Sequence, residues 1–260
     1  MQDKIYKKMD RKIDRETNVL ISLKNKLKDG EDRKVLDEVF DHQTLLALHK
    51  LFASNVLVSI DYPVSTGKEA NVFKGKTEKC DVAIKIYRIS NATYKNFYKY
   101  IAGDPRFRKI SMDYRKLVYV WTQKEFKNLS RLHDVGVNVP KPITYYNNIL
   151  LMEYIGDGTS PAPALRNVKV ENPEELYEIV VEQLVTSYKK AGLVHGDLSE
   201  YNILMFNGKP YFIDVSQAVL IGHPMCEELI NRDVNNVVRY FKKLGVNADR
   251  NEILQKMKSK

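Results

Sequence analysis

The segment covering residues 195–216 constrains this chain more than any other part of its sequence. It reads HGDLSEYNILMFNGKPYFIDVS, in which two short apolar strands flank an Asn-Gly pair that favours a tight hairpin turn. Asp197 and Asn202 precede the first strand, and Asp214 directly follows the second. Short carboxylate and amide oxygens are therefore predicted to converge around this loop and hairpin, and Mg²⁺ binds such oxygens together with phosphate oxygens.

The spacing of these three residues indicates phosphoryl transfer. Asn202 follows Asp197 in a D-x₄-N pattern, and Asp214 comes later, behind an apolar strand. This is the arrangement of a phosphotransferase catalytic loop and its metal-binding Asp. The competing interpretation is a surface turn with incidental acidic residues, which requires a chance match at all three positions. His195 is predicted to pack within the loop and not to act as a base.

An upstream strand and helix provide an independent check. The segment DVAIKIY alternates so that Ala83 and Lys85 share one face, which suits an adenine pocket with a phosphate contact beyond it. Glu125 lies on the apolar stripe of a helix predicted at about 117–133, where a carboxylate needs a cation. It is the only Glu between positions 85 and 131 and is therefore predicted to pair with Lys85. The alternatives are a solvated strand lysine and an exposed helical glutamate.

The segment STGKEANVF lies between the first two predicted strands. Its Ser65, Thr66 and backbone amides are suited to hold phosphate oxygens. Taken alone, it is an ordinary β-turn with the single glycine Gly67. Its position predicts a reduced nucleotide loop in which Lys68 supplies charge.

Hydrophobic periodicity predicts an α+β fold with two lobes and a cleft between them. Helical spacing extends to about residue 52, three antiparallel strands follow from residue 56, and later segments are mostly helical. The predicted domains are an N-terminal helical extension at 1–52, a nucleotide-binding lobe at 53–153 with a basic loop at 88–116, and a lobe at 154–260 with the catalytic and metal loops.

The net charge of +9 has one source. Residues 85–131 hold 12 basic and 3 acidic side chains, and the rest of the chain balances to zero. This stretch is interpreted either as a solvated basic face over core aromatics or as a surface that binds phosphate or RNA. A partner bound there is expected to order the loop and set the predicted ion pair, with Arg106, Arg108 and Lys109 as the contacts to test.

The sequence also bounds the compartment. No stretch approaches the roughly 18 consecutive apolar residues of a membrane span, and the N-terminus is too charged for a secretory signal. The two cysteines, Cys80 and Cys226, offer neither a disulfide framework nor a thiolate zinc site. The expectation is a soluble cytoplasmic protein with no membrane or DNA partner.

These motifs resemble the RIO family of atypical serine protein kinases. The combination of STGKEANVF, HGDLSEYNIL and FIDVSQAV is most similar to the first RIO subfamily, and the resemblance covers essentially the whole chain. It implies a trimmed two-lobe protein-kinase-like fold, preceded by extra N-terminal helices, that binds ATP with Mg²⁺ or Mn²⁺.

The resemblance also implies roles for individual residues. Asp197 would be the catalytic base, Asn202 and Asp214 the metal ligands, and Lys85 the phosphate-binding lysine held by Glu125. The implied nucleotide-binding residues are Ser65, Thr66, Gly67, Lys68, Glu69, Val72, Ala83, Lys85, Met152, Glu153, Ile155 and Asn202, with residues 152–155 forming the hinge.

Departures from ordinary protein kinases bear on the substrate. Gly196 stands where Arg is usual, Ser199 where Lys is common, and Val215-Ser216 replaces Phe-Gly. Only 46 residues follow Asp214, too few for an activation segment together with the helices that bind peptides. Some family members resemble ATP-driven switches that phosphorylate a metal-ligand Asp, which here would be Asp214.

The predicted function is an ATP-dependent serine/threonine kinase or ATPase with autophosphorylation. The resemblance implies a role in maturation of the small ribosomal subunit, with the pre-ribosomal subunit or its RNA as partner and the protein phosphoacceptor undetermined. Two alternatives remain. One is a small-molecule phosphotransferase of the aminoglycoside or choline kinase type, which shares the H-G-D-L-x₃-N pattern. The other is an RNA-binding assembly factor that uses ATP as a conformational switch.

Overall fold

The computed structural model describes residues 41–89, 97–107 and 113–259. The predicted helices before residue 41 and the parts of the basic loop at 90–96 and 108–112 lie outside the described residues. A five-stranded antiparallel sheet forms the first lobe in the order β1-β2-β3-β5-β4. Its strands are β1 Ser59–Thr66, β2 Ala70–Lys76, β3 Asp81–Tyr87, β4 Pro142–Tyr146 and β5 Ile149–Glu153.

Strand β3 explains how this lobe is layered. Its alternation sends one set of apolar side chains to helix α1 (His42–Ala53) on the back of the sheet. The side chain of Asp41 caps α1 by accepting the backbone N–H groups of Gln43 and Thr44. The last part of the predicted N-terminal extension therefore shares one core with the sheet. The buried residues of that core include Ala47, Leu48, Leu51, Phe52, Val82, Ile84 and Ile86.

Helix α2 (Tyr114–Asp134) packs on the other face of the sheet and includes the predicted span of 117–133. The side chain of Asp113 caps the N-terminus of α2 by accepting hydrogen bonds from the backbone N–H groups of Arg115 and Lys116. Trp121 anchors the helix, because its ring stacks on Phe97 with centroids 4.3 Å apart. The second set of β3 side chains faces this layer, which brings the predicted Lys85 and Glu125 to the same interior.

The second lobe is mostly helical, as predicted. It contains α3 (Pro173–Lys189), α4 (Cys226–Lys243) and α5 (Arg250–Lys258). The predicted hairpin consists of β7 (Ile203–Phe206) and β8 (Lys209–Phe212), with positive φ at both turn residues, 49° at Asn207 and 74° at Gly208. A short antiparallel pair of strands consists of β6 (Leu193–Val194) and β9 (Val219–Leu220), and β6 directly precedes the segment that we call the catalytic loop (residues 195–202).

The cleft lies between the sheet and this hairpin, with the crossing between lobes just after β5. Among the described residues, no helix combines the length and the apolar character that crossing a bilayer requires.

Candidate active site

A cleft of about 770 Å³ separates the lobes and collects most of the predicted nucleotide-binding residues. The predicted residues that line it are Ser65, Gly67, Lys68, Glu69, Val72, Ala83, Lys85, Met152, Glu153, Ile155, Asn202 and Asp214. Three predicted residues are absent from this lining: Thr66, Glu125 and Asp197. Glu125 lies behind Lys85, and Asp197 contacts Asn202 at the base of the cleft.

Lys85 bridges the two lobes. Its Nζ donates to Glu125 Oε1 at 2.7 Å and to Asp214 Oδ1 at 2.9 Å. Burial alone would lower the pKa of Lys85, but Asp214 and Glu125 together raise that pKa well above its ordinary value. The ammonium is therefore charged in the cleft and placed to contact a phosphate group.

Tyr87 is a third member of this cluster that the sequence analysis did not identify. Its hydroxyl donates a short hydrogen bond to Glu125 Oε2, and its ring packs edge-on against Phe97. Burial raises the pKa of Glu125, and Lys85 and Tyr87 oppose that effect. The sequence did contain a signal for Tyr87, because this residue lies two positions after Lys85 and therefore on the same face of β3.

Asp214 opens the segment that we call the metal loop (residues 214–218). Its backbone is left-handed, with φ 58° and ψ 52°, a conformation that short polar side chains tolerate better than most. Its Oδ1 accepts Lys85 and Ser216 Oγ, and the side chain remains 47% exposed to the cleft. Although burial acts to raise it, the Lys85 charge brings the pKa of Asp214 below its ordinary value.

The oxygen atoms of Asp214 and Asn202 are suitable ligands for a divalent cation. Asp214 is an ionised carboxylate that remains partly exposed, and Asn202 uses its amide nitrogen on Asp197, with 2.8 Å to the carbonyl and 3.3 Å to Oδ2. In the described part of the chain no donor reaches the Asn202 amide oxygen. Asp214 and Asn202 are thus the residues that would hold Mg²⁺ beside phosphate oxygens.

Asp197 is oriented by two amide side chains. Asn202 Nδ2 lies 3.3 Å from Asp197 Oδ2, and Gln217 Nε2 lies 3.5 Å from the same oxygen. Burial raises the pKa of Asp197, and the nearby charge of Asp214 raises it further. Gln217 was not among the predicted residues. A raised pKa makes the Asp197 carboxylate a better proton acceptor.

His195 has the structural position predicted for it. It is buried, with Nδ1 accepting the Asp197 N–H at 3.3 Å and Nε2 3.0 Å from the Ile213 carbonyl, a pair of contacts that places the proton on Nε2. Burial lowers the pKa of His195 to about 4, so the ring is neutral at ordinary pH. The ring thereby ties the catalytic loop to the strand before Asp214.

Gly196 and Asp233 fix the backbone of the catalytic loop. Gly196 has φ 81°, and a Cβ there would lie 3.1 Å from the Gln217 carbonyl. Asp233, on α4, accepts the N–H of Gly196 at 2.7 Å and that of Leu198 at 2.9 Å. The glycine that replaces the usual Arg is therefore required by the backbone. Asp233 was missed because its helical position alone marks it only as a solvated acid.

Lys74 fixes the hinge side of the cleft and was also missed. Its buried Nζ donates to the Gly158 carbonyl at 2.6 Å and pairs with Asp81 at 3.1 Å. Nearby, the hydroxyls of Tyr62 and Tyr154 lie 3.1 Å apart. These contacts bind the segment after β5 to strands β1 to β3, which limits the motion available to the hinge.

The basic segment, residues 85–131, contains both internal and exposed charges. Arg106 is turned inward, where it pairs with Asp104 at 2.7 Å and donates to Asn128 at 2.9 Å. Arg106 therefore has partners inside the fold, and its contribution to partner binding stays a prediction. Arg108 and Lys109 lie outside the described residues. Lys99 and Arg131 are exposed.

Comparisons with known proteins identify the family of this chain. A family model described as the RIO domain matches residues 71–253. The RIO-type serine/threonine-protein kinase Rio1 of Haloferax volcanii is 42% identical over 248 residues, covering 95% of this chain and 83% of that protein. The Homo sapiens serine/threonine-protein kinase RIO1 is 36% identical over 264 residues, covering 94% of this chain and 46% of that protein.

A solved structure supports the fold. The Rio2 kinase of Chaetomium thermophilum, in an ADP/Mg²⁺-phosphoaspartate complex, matches with a TM-score of 0.63 at 24% identity, covering 84% of this chain and 67% of that one. At that identity the likeness bears on the fold alone, and it confirms the predicted two-lobe α+β architecture.

Proposed function

Because this chain belongs to the RIO family of serine/threonine-protein kinases, within its Rio1 subfamily, we propose that it transfers the γ-phosphoryl group of ATP to a hydroxyl group or to water. The observation that carries the proposal is that Lys85, Asn202 and Asp214 line one cleft, with Asp197 in contact with Asn202 at its base. Two lobes and three chain segments supply these groups, namely β3, the loop that holds Asp197 and Asn202, and the residue after β8. A surface turn with incidental acids would not bring them together.

The side chains divide the work of the reaction. Lys85, held between Glu125 and Asp214, presents a fixed positive charge to the α- and β-phosphates. Asp197 accepts a hydrogen bond from the attacking hydroxyl or water and orients its oxygen in line with the bond that breaks. When bound by Asp214 and Asn202, Mg²⁺ supplies charge neutralisation for the phosphate oxygens.

The adenine site lies against the hinge. Ala83 and Val72 provide small apolar surfaces on the sheet side, and residues 152–155 border the cleft where the chain crosses between the lobes. The Ile155 carbonyl is held by the Ala162 N–H at 2.9 Å, which fixes the direction of the hinge backbone. This arrangement supports ATP as the phosphoryl donor.

Substitution of Asp197 tests the proposal. Asp197→Asn keeps the size of the side chain and removes the acceptor charge, so turnover of ATP should fall by about 10²- to 10⁴-fold. The matched control is Asp134→Asn, which changes an exposed acid at the end of α2. Release of phosphate and transfer to serine-containing substrates are both measured, and an Asp197→Asn variant with full turnover would contradict the assignment.

We also propose Asp214 as a phosphoryl acceptor. Its side chain is 47% exposed, and its lowered pKa keeps it ionised and nucleophilic. An Asp214 oxygen would attack the γ-phosphorus, the bond to the β,γ-bridging oxygen would break, and ADP would leave. Water would then hydrolyse the acyl phosphate. The phosphoaspartate named for the Rio2 structure supports this route.

The stability of the label separates the two acceptors. After a single turnover with γ-labelled ATP, an acyl phosphate on Asp214 is released by hydroxylamine, whereas a phosphoserine ester keeps its label. Loss of the hydroxylamine-sensitive label in Asp214→Asn would support the aspartyl route. An acid-stable label on serine alone would exclude it.

The finer proposal, that the substrate is a precursor of the small ribosomal subunit or its RNA, rests on the family resemblance and on the charge of residues 85–131. Lys99 and Arg131 are exposed charges in this stretch. If they contact phosphates, the double change Lys99→Gln and Arg131→Gln should weaken binding to small-subunit ribosomal RNA and flatten its dependence on salt. Unchanged affinity and salt slope would count against RNA contact by this surface.

A further inference from the structure

Two buried side chains of α2 hold the metal loop from behind. Lys124 Nζ donates to the Ser216 carbonyl at 2.8 Å and also to the Ala218 carbonyl. Asn128 Nδ2 donates to the Val215 carbonyl at 2.8 Å and to the Ala218 carbonyl at 3.1 Å. Residues four apart on a helix lie side by side, so the two donors form one continuous contact with the loop backbone.

The burial of Lys124 needs a reason. Both Lys124 and Asn128 are 0% exposed, and within the described residues no carboxylate lies at ion-pair distance from Lys124. Burial, reinforced by the charge of Arg106, lowers the pKa of Lys124 to about 7. An apolar side chain would fill this space at lower cost, because a buried ammonium loses its hydration. The reason for a lysine at this buried position must therefore lie in the two loop carbonyls to which it donates.

The position of these donors along α2 gives that explanation. Lys124 immediately precedes Glu125, the residue that holds Lys85, while the carbonyls belong to the loop that begins at Asp214. The same turn of α2 thus supplies one partner of the Lys85 ammonium, Glu125, and holds the backbone of the loop that supplies the other, Asp214.

We infer that Lys124 and Asn128 are positioning residues that fix the metal loop to α2, which keeps Glu125, Lys85 and Asp214 assembled. The inference rests on the proposed function for its catalytic meaning. The catalytic loop has Gly196 in place of the usual Arg. It therefore lacks the side chain that usually binds a phosphorylated activation loop. A constant attachment from α2 makes such a partner unnecessary.

The attachment extends outward to the basic segment. Arg106 donates to Asn128 Oδ1 at 2.9 Å, and Asp104 holds the guanidinium from the other side. His223 Nε2 lies 2.8 Å from the Ala102 carbonyl, which ties the same segment to the chain that follows β9. Residues 102–106 therefore further fix the position of Asn128, which contacts the metal loop.

Hydrogen exchange of the full chain without nucleotide tests the attachment directly. The variants are Lys124→Met, which keeps the apolar stem and removes the ammonium, and Asn128→Leu, which removes the amide donor and acceptor at similar size. Lys116→Met is the control, because it changes an exposed lysine on the same helix. We expect backbone amides of residues 215–220 to exchange about tenfold faster in both variants and unchanged in the control.

Binding of ADP provides the functional readout. With Mg²⁺ present, the Kd of ADP measured by calorimetry should rise about tenfold in both variants, whereas the Kd without Mg²⁺ should stay within twofold of the parent. A merely structural role would lower Tm and leave this metal-dependent difference unaltered. If Lys124→Met does not fold, Asn128→Asp decides the matter, since it keeps the shape and turns the donor into an acceptor that faces two carbonyls.

The outcomes separate this inference from the proposed function. Faster exchange at 215–220 together with a weakened Mg²⁺-dependent Kd supports the positioning role, even if the parent protein transfers no phosphoryl group. Parental exchange and parental Kd values in the folded variants would overturn it, and the Asp197→Asn result would stand unaffected.

Discussion

The Tyr87→Phe substitution tests whether the Lys85–Glu125 pair depends on its third member. The change removes one hydroxyl and keeps the ring that packs against Phe97. The lost hydrogen bond joins a neutral donor to a buried carboxylate, a class worth about 1.5–3 kcal/mol. For a chain of this size that corresponds to a fall in Tm of about 3–12 °C.

Loss of the same hydrogen bond should also weaken the binding of ATP. Without Tyr87 the Glu125 carboxylate loses a donor that stabilises its charged form, so its pKa, already raised by burial, rises further and its hold on Lys85 weakens. If about 1.4 kcal/mol of the loss appears in phosphate binding, the KM for ATP rises about tenfold. Steady-state phosphate release and thermal unfolding give the two quantities.

A matched control isolates the cause. Tyr145→Phe also removes a hydroxyl that contacts α2, in this case one that accepts a hydrogen bond from Gln123 at 2.8 Å. It should lower Tm modestly and leave the KM for ATP unchanged. Equal KM values for Tyr87→Phe and the parent, at a temperature where both are folded, would refute the reasoning.

Three further predictions concern the catalytic loop. Gly196→Ala should lower the free energy of unfolding in urea by roughly 2–3 kcal/mol, because it combines positive φ with contact against the Gln217 carbonyl, whereas Gly208→Ala, with positive φ in open space, should cost roughly 1 kcal/mol. The unfolded chain protonates histidine near its ordinary pKa of 6.5, but folded His195 does so only near pH 4, so stability should be full above pH 6.5 and fall by about 3 kcal/mol as pH drops to 4. This dependence is measured by urea unfolding across pH, and the part due to His195 should vanish in His195→Gln. Asp233→Asn should lower kcat by roughly tenfold with little change in KM, because one of its two backbone N–H contacts is lost while the cleft lining is retained; stopped-flow turnover would show a parental kcat if this is incorrect.

The sequence predicted the elements and site residues that follow from local pattern. The alternation of DVAIKIY placed Lys85 on the inner face of β3, and the helical stripe placed Glu125 opposite it, as their 2.7 Å contact confirms. The Asn-Gly pair fixed the hairpin that ends near Asp214. In each case the periodicity of one element was sufficient to orient the side chain.

Two buried lysines, Lys74 and Lys124, were not predicted to have structural roles. Lys74 contacts a carbonyl 84 positions away, and Lys124 reaches the metal loop across 92 positions. In the sequence both read as ordinary solvated lysines, since only the tertiary fold shows which polar groups they meet. The inward position of Arg106 was not predicted for the same reason, because a basic cluster in the sequence does not reveal which of its members turns inward.

The contact between α2 and the metal loop also bears on inhibitors. A compound that occupies the adenine and phosphate region can bind the arrangement described for Lys85 and Asp214. One that needs the metal loop displaced must first separate the loop carbonyls from Lys124 and Asn128. Its apparent affinity is the intrinsic affinity multiplied by the fraction of molecules in which they are apart. Ligand screens against this chain should therefore favour compounds of the first kind.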